Sequence, residues 1–96
     1  MIRTASDLEF GIRMELVELK PPDNFDKHAL KEYSIEKWAW ENLLSYVRRN
    51  KNLSAASILE KYLKRMDEMI FSASKKNVDY FLEAYDQADR IYDIIF

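Results

Sequence analysis

Among side chains able to do chemistry, this 96-residue chain offers 17 carboxylates, one histidine and no cysteine. The histidine, His28, follows Asp26 and Lys27. As an acid/base group or a metal ligand it would need partners, and one histidine among scattered carboxylates makes no zinc site. Its context is that of an exposed connector residue. No serine stands in a nucleophile-elbow motif, and a chain with a single glycine cannot form a Gly-rich phosphate loop. The absence of cysteine excludes disulfides and thiol nucleophiles and fits a reducing, cytoplasmic setting. No cofactor is expected.

Carboxylates three residues apart share a helix face and can grip a hard cation. Glu15 with Glu18, and Glu83 with Asp86, are such pairs. In this they resemble the small all-helical nucleotide pyrophosphohydrolases, which hold Mg²⁺ between adjoining helices. The resemblance would imply a Mg²⁺-dependent hydrolase. Against it, an acid content this high produces about three such pairs by chance, and these two lie far apart in the sequence. The expectation is therefore a non-enzymatic protein with no metal site and no catalytic residue.

Charge offers a better lead. Asp79, Glu83, Asp86 and Asp93 fall on one side of the last helical segment, interrupted by Arg90. Arg48, Arg49, Lys51, Lys61, Lys64 and Arg65 make a basic block in mid-chain. Ordinary structural reasons exist for both. A solvated helix face is often acidic, and cations such as Arg48, Arg49, Lys75 and Lys76 suit helix C-termini. The functional reading is an acidic ridge that docks on a cationic protein surface, where complementary potentials set partner choice. The basic block gives an alternative, a helix-turn-helix outline around Asn50–Asn52 for DNA binding. The small, neutral run from Leu53 to Ser57 and the net charge of −2 speak against nucleic acid as a direct ligand. Trp38 is a second candidate contact, because it points away from the apolar half of its segment formed by Ile35, Ala39, Trp40, Leu43 and Val47. Tryptophan beside Arg and Glu has the composition of a binding hot spot.

The elements that must position these groups are helical. Ser6 with Glu9 forms a capping-box signature for a first helix over about Asp7–Leu19, stopped by Pro21 and Pro22. Residues 8–16 also alternate as a strand would, through Leu8, Phe10, Ile12, Met14 and Leu16. No second strand exists in the chain to pair with such a segment, so as a strand it would have to pair across a dimer. Helix is the expectation. Residues 21–34 read as a connector with one helical turn near Lys27–Tyr33. A second helix follows from Ser34 to Arg49, a third from Asn52 or Ser54 to Ser72, and a fourth from Asn77 nearly to Phe96. The short Ser74–Asn77 link makes the last two an antiparallel αα-hairpin.

Together these give an all-α, single-domain four-helix bundle over residues 1–96. No apolar run exceeds three residues, so no membrane span is expected. Two segments carry more apolar surface than one neighbour can cover. Phe10, Met14 and Val17 lie opposite the Leu8–Ile12–Leu16–Leu19 stripe, and the fourth segment is apolar from Tyr80 round through Ile91, Ile95 and Phe96. These seven residues are the expected homodimer interface. In composition the chain is similar to the small, acidic, motif-poor helical proteins of phages and mobile elements, which act by binding. The expected function is that of a stoichiometric inhibitor, adaptor or regulatory subunit.

Overall fold

The computed structural model describes residues 2–23 and 26–95, and these form four α-helices. They are α1 (Ala5–Glu18), α2 (Lys27–Arg49), α3 (Ala55–Ser72) and α4 (Val78–Ile95). Helices α3 and α4 make the expected antiparallel hairpin. α2 packs along α4 and also against α1, which closes the bundle. At about 1.5 Å per residue, the 23 residues of α2 run most of the molecule's 40 Å length.

Residues 5–18 are helical, as expected for this segment. Winding the alternating pattern into a helix separates its two halves. Leu8 and Ile12 are fully buried, and Leu16 and Leu19 pack against the core. Phe10, Met14 and Val17 stay 66%, 43% and 72% exposed. The cap is two residues earlier than the Ser6–Glu9 signature. Thr4 Oγ1 accepts from the Asp7 amide and Asp7 Oδ2 accepts from the Thr4 amide, both at 3.1 Å. Glu9 is engaged elsewhere. Its carboxylate lies 2.9 Å from Arg48 Nε and 2.8 Å from Lys51 Nζ, tying α1 to the end of α2 and the turn after it. A bridge between Thr4 and Ser54, with the Ala55 amide donating to the Arg3 carbonyl, brings the starts of α1 and α3 together.

The second helix begins at Lys27, well before Ser34. Asp26 caps it by accepting from the His28 amide at 3.0 Å. Ser34 is an exposed interior position, and His28 belongs to the first turn of α2 rather than to a connector. α3 is capped by Ser54, which accepts from the Ser57 amide. Lys75 and Lys76 do not close α3. The helix ends at Ser72 with Ala73 as its C-cap, and the two lysines stand in the turn just before α4.

The core joins Leu8 and Ile12 to Leu43, Val47, Ile58, Leu59 and Tyr62. Tyr62 is fully buried, accepts from Asn42 Nδ2 at 2.8 Å, and has its phenol pushed up to about 12 by that burial. α4 inserts Ala84 and Ala88, both fully buried, and side chains this small let the neighbouring helices approach closely. The broad apolar arc of α4 has two neighbours to serve, because α2 and α3 both pack on it. Ile91 and Ile95 are accordingly half-buried against the chain's own core, and Tyr80 is half-buried against Trp38. Of the expected dimer residues, those on α1 are the ones left open. Phe96 lies outside the described residues.

Candidate functional site

Asp79, Glu83 and Asp86 recur at helical spacing on α4, and the structure sets them opposite one face of α2. That face presents His28, Glu32, Ile35 and Glu36. An open groove of about 640 Å³ runs between the two helices, lined by these residues together with Lys31 and Leu82. Five of its nine lining residues are carboxylates. Ile35 and Leu82 supply an apolar strip between them.

Gln87 fixes the seam beneath this groove. It is 1% exposed, and its Nε2 donates at 3.2 Å both to the Glu36 carbonyl on α2 and to Glu83 Oε1 on its own helix. Its Oε1 is buried without a hydrogen-bond partner among the described residues. An unsatisfied acceptor of this kind costs about 1–3 kcal/mol, so the Gln87 amide holds the two helices in register at some expense. Glu83 is thereby part of the framework as well as of the groove wall.

The electrostatics of the groove are those of crowded acids. Burial pushes the Glu36 carboxyl above its ordinary value, Glu83 adds to the effect, and Glu15 and Glu32 contribute further. Arg90 opposes them. The Arg90 guanidinium sits 3.2 Å from Asp86 Oδ2 and 3.7 Å from Glu83 Oε1. His28 Nε2 lies 3.0 Å from Glu32 Oε1. Even with these partners, acids outnumber cations around the opening. Such a field attracts a cationic group and gives it an apolar strip to lie on. Among the described residues, no three His, Asp or Glu side chains are grouped so as to hold a metal ion.

Three of the four ridge acids are thus gathered into the groove, and Asp93 is not. It is exposed further along α4. Trp38 lies on the other flank of α2, half-buried, with its ring edge-on to Tyr80 and Phe81 at centroid distances of 5.4 and 5.8 Å. The basic block is divided. Arg48 and Lys51 engage Glu9, and Arg49 Nε donates to the Ser45 carbonyl. Lys61, Lys64 and Arg65 are exposed on α3, next to the exposed Asp67 and Glu68. α3 packs chiefly on α4 rather than on α2.

Sequence reasoning missed Glu32, Glu36, Ile35 and Leu82. The signal for the α2 residues was present. Once Asp26 is read as an N-cap, His28, Glu32 and Ile35–Glu36 fall on one face at i, i+4 and i+7/i+8.

In comparisons with known proteins, no family model, no curated protein and no solved structure matches the chain.

Proposed function

We propose that this chain is a non-enzymatic protein-binding module that docks its acidic α2/α4 groove on a cationic surface of a partner. It would act stoichiometrically, as an inhibitor, adaptor or regulatory subunit. The observation that carries this reading is the convergence of five carboxylates from two helices on one open groove with an apolar strip. A merely solvated helix face requires no such convergence, since each helix could show its acids to water separately. Desolvating Glu36 beside Glu83 costs stability, and a cationic partner would recover that cost on binding. A cytoplasmic site of action belongs to the same proposal and rests on the cysteine-free sequence.

The test is charge reversal at the groove's edge. Glu32→Lys with Asp79→Lys changes exposed positions and leaves in place Glu83, which accepts from the buried Gln87 amide. The variant should keep its helical circular dichroism and lose a partner that the wild-type chain captures. Equal capture by both proteins contradicts the proposal.

A self-association surface on α1 is a second reading, favoured by Phe10, Met14 and Val17 standing exposed at i, i+4 and i+7. A contiguous apolar patch of this kind marks contact surfaces. Light scattering should give a dimer mass for the wild type and a monomer mass for Phe10→Ser with Val17→Ser. A wild-type monomer at high micromolar concentration removes this reading and leaves the groove untouched.

A further inference from the structure

On the other flank of α2 a second groove, of about 580 Å³, opens between that helix and the start of α4. Its wall is aromatic, made by Trp38, Tyr80 and Phe81. Its rim carries Lys31 and Lys76, with Asn77 beside them. Both lysines are exposed, and neither is ion-paired with a described residue.

Helix stability does not explain Lys76. A cation is favoured in the last turn of a helix, where the macrodipole is negative, and disfavoured at the start of one. Lys76, with Lys75, lies past the C-cap of α3 and two residues before Val78, the first residue of α4, with Asn77 between them. Lys31 adds its charge from α2. Positive charge therefore accumulates at a corner that is already positive, above three aromatic rings. Asp79 is the acid that the first turn of α4 favours, and it lines the other groove; the two lysines at this rim have no such role in the helix.

We infer that this groove is a docking pocket for an acidic segment of a partner protein. An apolar or aromatic side chain of that segment packs on Trp38, Tyr80 and Phe81, and its carboxylates lie against Lys31 and Lys76. Nucleic acid is the wrong polyanion for this corner. Its charge is spread along the whole backbone, and the five carboxylates on the far side of α2 would repel everything beyond the first few phosphates. A short acidic segment confines its charge to the corner. The inference does not depend on the acidic groove. If both hold, the α2/α4 seam presents opposite potentials on its two sides and fixes the orientation of what it binds.

Amide-resolved NMR titration of the full chain tests this with a blocked Glu-Glu-Leu-Phe-Glu-Glu peptide. A Lys-Lys-Leu-Phe-Lys-Lys peptide and a short oligothymidine serve as contrasts. The acidic peptide should shift Lys31, the Trp38 indole, Tyr80 and Phe81, with a Kd of about 0.1–1 mM. Lys76→Glu should weaken it about tenfold. That substitution puts an acid at the helix start, so its Tm should rise rather than fall and lost binding cannot be ascribed to unfolding. Lys76→Gln should weaken binding by a smaller factor, and Glu32→Lys with Asp79→Lys should leave it intact. The inference is overturned if the acidic peptide shifts none of these residues, if Lys76→Glu binds it as well as wild type, or if oligothymidine binds the same residues more tightly.

Discussion

Trp38 of α2 stands edge-on to Tyr80 of α4, with ring centroids 5.4 Å apart and planes at 88°. This contact joins α2 to α4 and forms part of the wall of the aromatic groove. Edge-to-face pairs contribute about 0.5–1.5 kcal/mol beyond the area they bury. Trp38→Ala should cost about 1–3 kcal/mol, less than for a fully buried aromatic, because the side chain is only half-buried. Urea denaturation checks this, and Trp38→Phe should restore part of the loss.

Gly11 has no backbone need to be glycine. It lies inside α1 without a positive φ, and a Cβ there would meet only Ile2 Cδ1, at 3.9 Å. Gly11→Ala should stabilise the protein by about 0.5–1 kcal/mol through helix entropy. A raised thermal midpoint is the expected result.

Glu9 makes the fold acid-sensitive. Lys51 and Arg48 hold its carboxyl below the usual range. A depressed carboxylate contributes stability that is present above its unfolded pKa and lost as pH falls through the folded one. Wild type should therefore lose stability on acidification below the ordinary glutamate range, and Glu9→Gln should lose less. Urea midpoints at neutral and acid pH measure the difference.

Glu36 acts in the opposite sense. Burial and Glu83 raise its pKa, so the stability linked to its proton is present below the unfolded pKa and lost as pH rises through the folded one. Glu36→Gln should be more stable than wild type at neutral pH, with the advantage disappearing in acid. Only the backbone carbonyl of Glu36 accepts from Gln87, so the seam survives the substitution.

The α3–α4 hairpin was legible because its apolar residues recur with one period and its link is short. Leu59, Tyr62 and Met66 are buried as that spacing requires. The divided faces of α1 were legible for the same reason, once the strand period was set aside for want of a pairing strand. The start of α2 was not. Pro21, Pro22 and the polar run after them resemble a connector, while Ser34 offers a cap signature that a continuous helix leaves unused. That misplacement cut Glu32 off from Glu36, which lay inside the expected helix, and so hid the acidic face of α2 that lines half of the groove. The two capping boxes of α1 could not be separated by spacing alone. Glu9 is withdrawn from the later one by Arg48 and Lys51, a tertiary contact across more than thirty positions of sequence.

The most direct measurement is calorimetric titration of an amphipathic Lys/Arg-rich helical peptide into the full chain at two salt concentrations. Wild type should bind it, more weakly at the higher salt. Glu32→Lys with Asp79→Lys should abolish binding, while Lys76→Glu should leave it unchanged or stronger. Equal binding by wild type and the doubly reversed variant, or no binding by wild type at low salt, would contradict docking through the α2/α4 carboxylates.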